Sequence, residues 1–196
     1  MFFKEYIEQA VKTESNDFDV VGGRLNNKHV VRLLHAGLGM ATEASELFKA
    51  IYKQDIINVR EEIGDLFWYI AIAHDASSDY FHYRNYTYLP FEDWWVGLSY
   101  YAMEHRLLCS IGEFVDAIKK NIFYGKALEK KEVLSTLQDI FNCVYWIIDT
   151  FDGFDLDSIL SDNIKKLKSR YGELFSEERA LNRDVENELN HMKDKA

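Results

Sequence analysis

The sequence predicts an all-α fold, with a four-helix-bundle core and extra helices at its periphery. Pro90 is the only proline in 196 residues, and clusters of turn-forming residues are few. Apolar residues recur at intervals of three and four positions along most of the chain, which is the spacing of an amphipathic helix. With 47% hydrophobic residues, the chain is long enough to bury one substantial core, so we expect residues 1–196 to form a single domain.

Six helices follow from this periodicity, in chain order at residues 2–13, 28–53, 55–75, 92–123, 130–151 and 156–170. The second and third helices carry the clearest apolar stripes, formed by Ala36, Met40, Leu47 and Ile51 and by Val59, Leu66 and Ala73. The charged tail after residue 176 is expected to be peripheral.

A polar and aromatic stretch, "DYFHYRNYTYLPFEDWW", separates the third helix from the fourth and contains the single proline. It predicts a loop or an insertion at about residues 76–95. Its aromatic side chains either cap one end of the bundle or stack on a base, and we favour the cap because burial of aromatic rings is commoner than ligand stacking.

An internal repeat accounts for four of the helices. "MATEASELFKAI" resembles "CSIGEFVDAIKK", and "GDLFWYIAI" resembles "QDIFNCVYWII". Three acidic positions recur in the second copy, where Glu113, Asp116 and Asp139 correspond to Glu43, Glu46 and Asp65. Thr136 stands where the second copy would have its counterpart of Glu62. A duplicated, degenerate helical hairpin of this kind predicts a four-helix bundle within one chain.

The net charge of −10 argues against a nucleic-acid polymer as partner. Proteins that bind nucleic acid gain affinity from Lys and Arg side chains that replace condensed counterions. An anionic substrate would therefore need another source of positive charge, and a divalent metal ion is the natural candidate.

Neither a membrane nor an oxidising compartment is expected. The chain reaches charged side chains at once in "MFFKEYIEQAVK", and no stretch of about 18 apolar residues follows. Cys109 and Cys143 each lie within an apolar helical pattern, which supports neither a disulfide framework nor a cysteine zinc site. A cytoplasmic location fits these features.

Two acidic pairs stand out, Glu43 with Glu46 and Glu62 with Asp65. Residues three apart on a helix project from the same face, so each pair forms a two-carboxylate clip at the edge of an apolar stripe. Glu61, rotated by about 100° from Glu62, falls on the polar side and is a poorer candidate. Either pair alone is more simply explained as solvated acid, but two pairs on neighbouring helices favour a shared site.

Four carboxylates converging between packed helices would repel one another, and each would lose its hydration. A divalent cation removes that penalty. Ligation by oxygen alone selects a hard ion, Mg²⁺ or else Mn²⁺, and carboxylates that leave room for water and phosphate are typical of Mg²⁺. The acids therefore predict a metal site for a phosphate-bearing substrate.

The paired motif, E-x-x-E followed after fifteen residues by E-x-x-D, resembles that of the all-α NTP pyrophosphohydrolases, and the chain is similar to their MazG-like members. "GLGMATEASELFKA" and "EEIGDLFWYI" carry the resemblance, and "NIKKLKSRYGELFSEERALNRD" adds to it more loosely. It implies hydrolysis of a nucleoside triphosphate between the α- and β-phosphates, giving a monophosphate and pyrophosphate. It implies metal ligation by Glu43, Glu46, Glu62 and Asp65, and a phosphate contact by Tyr69.

Five further side chains are candidates for substrate contacts. Lys49 and Lys53 lie one and two turns beyond the acids of the second helix, and Lys166 and Arg170 lie one turn apart in the closing segment. His35 is placed where it could reach a base. For the four basic side chains an ordinary solvated charge is the simpler interpretation, and for His35 it is a histidine satisfied between helices.

Two alternatives stay open. Dimeric dUTPases share the plan of one working and one degenerate hairpin, so dUTP or dUDP hydrolysis is the nearest alternative within the class. A non-catalytic acidic bundle that binds a basic protein is the alternative outside it, because the negative charge permits such binding. We expect a homodimer.

Overall fold

The computed structural model describes residues 3–82, 99–172 and 176–178, and these residues form helices and turns with no strand. The bounds of the seven α-helices are α1 Phe3–Ala10, α2 Phe18–Leu25, α3 Lys28–Tyr52, α4 Ile56–Tyr80, α5 Tyr100–Tyr124, α6 Lys130–Asp149 and α7 Leu156–Tyr171. A 3₁₀ turn at Val11–Thr13 follows α1. The predicted all-α class is confirmed.

The helices differ from the prediction in two places. Helix α2 was not predicted, because its sequence "FDVVGGRL" is short and two glycines lower its helix propensity. Helix α4 continues to Tyr80, past the predicted end at 75, because the polar residues Ser77 and Ser78 are buried in it rather than exposed in a loop. The insertion predicted at about 76–95 is therefore helical where it begins. Its remainder from residue 83, and the predicted start of the fourth helix at 92, lie outside the described residues.

Polar caps fix the start of the two helices that carry the predicted acids. The side chain of Asn27 accepts a hydrogen bond from the N–H of His29 at 3.0 Å before α3. Asp55 does the same for the N–H of Asn58 at 3.2 Å before α4. Each cap satisfies a donor that the helix leaves unpaired, which is worth about 1 kcal/mol. The short turn at 53–55 makes α3 and α4 antiparallel neighbours.

The core is a bundle of four helices, α3 to α6. Helix α3 packs against α4 and α5, and α6 packs against the same two helices, so the hairpins α3–α4 and α5–α6 lie face to face. Helix α7 packs on α4, and α2 lies against α3 and α5. The largest fully buried apolar side chains include Phe114, Leu33, Met40, Leu47, Ile63 and Leu66. Burying one such side chain contributes about 1.5–3 kcal/mol.

Buried positions recur at the same intervals in the two hairpins. The buried series is Val59, Ile63, Leu66, Ile70 and Ala73 in α4, and Val133, Leu137, Ile140, Val144 and Ile147 in α6. This agreement supports the predicted duplication, because two copies of one hairpin bury the same face. Within the described ranges, no helix is both long and apolar enough to cross a membrane.

Candidate metal centre

Three of the four predicted acids come together between α3 and α4. Glu43 projects from α3 and Glu62 and Asp65 project from α4, and one carboxylate oxygen of each lies within 4.8 Å of those of the other two. All three side chains are partly buried, since Ala44 and Ile63 beside them belong to the core. Among the residues that the structure describes, this is the one group of acids, histidines or cysteines close enough to share a metal ion.

Glu46 stands apart from this group. It is exposed on α3, one turn beyond Glu43, and its carboxylate is not among the clustered oxygens. Its charge is nevertheless close enough to raise the pKa of both Glu43 and Glu62. Because the cluster is already crowded with negative charge, a fourth carboxylate is better solvated outside it.

The cluster holds an unfavourable concentration of negative charge. Burial raises the pKa of Glu43. Burial, together with the hydrogen bond to Glu43 and the charge of that residue, raises the pKa of Glu62 to about 9. Glu62 is then protonated at neutral pH and donates its hydrogen bond to the Glu43 carboxylate. Glu62 retains its proton because burial and the charge of Glu43 disfavour its ionised form, and a divalent cation could replace that proton. These residues therefore fit a hard metal ion.

Asp65 is neutralised by helix α7 instead. The Lys166 ammonium donates to Oδ1 of Asp65 at 2.5 Å and to Oδ2 at 2.6 Å, and the Asn163 amide donates to Oδ1 at 2.6 Å. Lys166 also lies 3.3 Å from Oε1 of Glu61. Its side chain is only 2% exposed, so Lys166 is a buried charge paired with two acids and not a solvated one. The structure thus adds Asn163 and Glu61 to the surroundings of the site.

A glycine in α4 permits this close approach of α7. A Cβ atom at Gly64 would lie 3.0 Å from both Cβ and Nδ2 of Asn163, which is tighter than ordinary side-chain contacts. Gly64 therefore lets Asn163 reach the neighbouring Asp65. The sequence signal for this arrangement is the spacing of Asn163, Lys166 and Arg170, which puts the three on one side of α7.

Tyr69 borders the cluster one turn beyond Asp65. Burial, followed by the negative charges of Glu43 and Asp65, raises the pKa of Tyr69, and the positive charge of Arg170 opposes this shift. The phenol therefore lies between the acids and the basic end of α7. Its ring lies directly on α3 at Gly39, where an added Cβ would be only 2.1–2.3 Å from three ring atoms.

The other residues predicted to contact substrate, His35, Lys49 and Lys53, do not contact the acidic cluster directly. His35 is exposed, and its ring meets that of Tyr69 edge-on, with 5.4 Å between the ring centroids, and that of Trp68 at 6.0 Å. Lys49 and Lys53 are exposed at the C-terminal end of α3 and form no ion pair with another described residue. The structure therefore links Lys166 to Asp65 by hydrogen bonds, and His35 to Tyr69 by a ring contact. It links Arg170 to Tyr69 through its charge, and it does not link Lys49 or Lys53 to the acids.

The second hairpin has no equivalent cluster among its described residues. The Thr136 hydroxyl donates to a backbone carbonyl of its own helix at 2.9 Å. Asp139 is bound by Arg106 at 2.8 Å, and Asp116 is paired with two lysines one turn further along α5. Glu113 is exposed. Basic side chains of the hairpin itself thus take up the charge of two of its three repeated acids.

A cavity of about 430 Å³ adjoins the site between the first half of α4 and the start of α7. Glu61, Gly64 and Asn163 line it, so it touches the residues that surround Lys166. Its wall also includes Arg60, which lies 5.8 Å from the centre of the Phe154 ring. The cavity shows that α7 does not close completely over α4 beside the acids.

The fold and the site thus define an all-α bundle with a carboxylate cluster between two antiparallel helices, which could hold a metal ion through oxygen ligands. Residues 34–83 match the family model of the MazG nucleotide pyrophosphohydrolase domain. This match covers most of α3 and all of α4, with the clustered acids and Tyr69, and it confirms the predicted MazG-like resemblance. Comparison with curated proteins and with solved structures gave no significant match.

Proposed function

We propose that this protein is a metal-dependent nucleoside triphosphate pyrophosphohydrolase, which cleaves a (d)NTP to a (d)NMP and pyrophosphate. The observation that carries the proposal is the cluster of Glu43, Glu62 and Asp65, which lies inside the segment that matches the MazG domain. Mg²⁺ is the expected cofactor, with Mn²⁺ as the alternative, because ligands that are all oxygen select hard cations.

The four predicted acids have two kinds of role in this proposal. Glu43, Glu62 and Asp65 would hold the metal, and Glu62 would release its proton to solvent on metal binding. Glu46, exposed one turn from Glu43, completes the ligand set or orients the attacking water. A metal ion held there would supply positive charge to the polyphosphate and would increase the acidity of the attacking water.

The substrate contacts come from the side of the cluster where α7 and Tyr69 lie. In this proposal the Tyr69 hydroxyl donates to a phosphate oxygen, and Arg170, whose charge lowers the pKa of that hydroxyl, pairs with the same phosphate. His35, edge-on to Tyr69, is the nearest predicted side chain for a base. Lys49 and Lys53 would serve only a polyphosphate that extends towards the end of α3.

A nucleotide screen tests the proposal. The full chain is incubated with each ribo- and deoxyribonucleoside triphosphate, and with dUTP and guanosine tetraphosphate, in Mg²⁺ or in EDTA, and the products are identified. Pyrophosphate and monophosphate that appear only with metal are expected. Glu62→Gln and Asp65→Asn keep the shape of the side chain but remove the anionic contact, so they should lower turnover by orders of magnitude. Release of orthophosphate alone, or normal turnover in both variants, would contradict the proposal.

A dUTPase-type activity is the second candidate, favoured by the presence of one complete and one degenerate hairpin in the same chain. Thr136 and the Asp139–Arg106 pair leave the second hairpin without a ligand cluster. Hydrolysis of dUDP as well as dUTP, with little action on the other nucleotides, would favour this candidate over a general pyrophosphohydrolase.

We also propose an assembly and a location for the protein. We expect a homodimer in the cytoplasm that binds neither membranes nor nucleic-acid polymers. Sedimentation equilibrium of the full chain measures the first of these expectations directly, and a monomer at micromolar concentration would contradict it.

A further inference from the structure

We infer that Lys166 is an internal counter-ion that competes with the divalent cation for Asp65, so that the site binds metal tightly only when a polyphosphate draws the ammonium away. The inference rests on the proposed function, because it concerns the regulation of the same site. It assigns to Lys166 a positioning role that depends on whether substrate is present.

Hydrogen bonds from α7 occupy most of the Asp65 carboxylate. A carboxylate offers about four lone-pair positions, two on each oxygen. Lys166 uses one on each oxygen, and Asn163 uses the second on Oδ1. The described residues thus leave one position open, on Oδ2. A metal ion that binds Asp65 through more than this position must therefore displace a donor from α7.

The charge of Lys166 also opposes the binding of a divalent ion. The side chain of Lys166 is 2% exposed and its ammonium is in direct contact with Asp65, so water screens the charge poorly. It cancels the charge of one of the three clustered acids and repels a cation brought to the other two. In the absence of substrate, the attraction of the cluster for a divalent ion is thus reduced by a charge that the chain itself provides.

Glu61 gives Lys166 an alternative partner. Its Oε1 lies 3.3 Å from the ammonium, and its side chain is only 14% exposed. When Lys166 leaves Asp65 it still has Glu61, so it does not become an unpaired buried charge, which would be strongly unfavourable. The oxygens of a polyphosphate are further acceptors for the same ammonium. Substrate and metal should therefore bind cooperatively, each favouring the arrangement that suits the other.

Metal binding without turnover tests the inference. Mn²⁺ binding to the full chain is measured by electron paramagnetic resonance and calorimetry, with and without a non-hydrolysable triphosphate analogue. Lys166→Met should tighten Mn²⁺ binding without nucleotide by about tenfold or more, because a unit charge next to the ligand is removed. The analogue should tighten binding strongly in the parent and much less in this variant. Lys165→Met is the matched control, because Lys165 is its exposed neighbour on α7 and should leave both values unchanged.

A second variant has the opposite expected sign. Glu61→Gln retains Lys166 but weakens its alternative partner, so Lys166 should hold Asp65 more firmly and Mn²⁺ binding without nucleotide should weaken by about three- to tenfold. This variant decides the question if Lys166→Met does not fold.

The outcomes separate this inference from the proposed function. Pyrophosphate release by the parent, combined with parental Mn²⁺ affinity in folded Lys166→Met or in Glu61→Gln, would overturn the inference alone. A lack of Mn²⁺ binding in the parent and all variants, even with the analogue, would overturn the metal site and the inference together. Weaker Mn²⁺ binding in folded Lys166→Met would show that Lys166 only holds α7 against α4.

Discussion

Replacing Gly39 by alanine should disturb the proposed substrate contact of Tyr69 without touching any acid. A Cβ at this position would lie 2.1 Å from Cε1 of Tyr69 and 2.2 Å from Cζ. Carbon atoms in contact are separated by about 3.5–4.0 Å, so the ring must move by more than about 1 Å. It cannot stay in place against α3, and its hydroxyl leaves the position beside the acids.

Two effects on stability oppose each other. Alanine in a helix interior is more favourable than glycine by up to about 1 kcal/mol. The displaced Tyr69 ring loses its packing on α3 and its edge-on contacts with His35 and Trp68. Each of these two aromatic contacts contributes about 0.5–1.5 kcal/mol. We therefore expect Gly39→Ala to be neutral or destabilised. Gly112→Ala is the matched control, because it lies in the interior of α5 with nothing within 4 Å of its added Cβ, and it should be stabilised.

Activity should separate the two variants more clearly. A hydrogen bond to a charged group contributes about 1.5–3 kcal/mol, so its loss should lower kcat/KM by about ten- to a hundredfold. Pyrophosphate release gives kcat/KM for Gly39→Ala, Gly112→Ala and Tyr69→Phe. The first and third should lose similar amounts, and the second should match the parent. If Gly39→Ala keeps parental kcat/KM while Tyr69→Phe loses activity, the ring tolerates the methyl group and the structural reasoning is wrong.

The remaining predictions concern the acids, the second hairpin and the core. In EDTA, stability should fall as the pH rises from about 4.5 towards 9, because the pKa of Glu62 is raised to about 9 in the folded state, which therefore binds a proton that the unfolded state has lost. Thermal unfolding at several pH values measures the slope of stability against pH. For one proton this slope is at most about 1.4 kcal/mol per pH unit, and screening by water at this partly exposed site reduces the effect. Glu62→Gln or saturating Mg²⁺ should flatten it, and an unchanged slope would remove Glu62 as its source. Glu113→Gln combined with Asp116→Asn should keep turnover within about tenfold of the parent, whereas a loss as large as that of Glu62→Gln would show that the second hairpin supplies essential groups. Phe114→Ala should cost about 3–5 kcal/mol in urea unfolding, because its ring is fully buried, and a cost near zero would contradict the placement of α5 in the bundle.

Helical periodicity predicted the bundle because long amphipathic helices bury one face. Helices α3 and α6 begin and end within about two residues of their predicted limits, a margin in which helix ends commonly vary. Helix α2 was missed because eight residues with two glycines show no such face. The end of α4 was missed because burial of Ser77 and Ser78 depends on what packs against them, which polarity alone does not reveal.

The same limit applies to the site. Spacing along one helix predicted that Glu62 and Asp65 share a face, and the pairing of two helices predicted that Glu43 joins them. Glu61 was assigned to the polar side of α4, which is correct for an isolated hairpin. Helix α7 covers that side, and through Lys166 it makes Glu61 a partner of the site. No local pattern gives the position of a helix that packs from about a hundred residues away.

The contacts between α7 and Asp65 also determine when, during synthesis of the chain, the site acquires its counter-charge. The acids lie in the first hairpin, whereas Asn163 and Lys166, which hold Asp65, lie in the last described helix. A chain emerging from the ribosome can fold its first hairpin well before α7 has been made. During that interval Asp65 lacks the counter-charge of Lys166, so a nascent chain with a folded first hairpin should bind divalent ions without nucleotide more tightly than the chain in which α7 has docked.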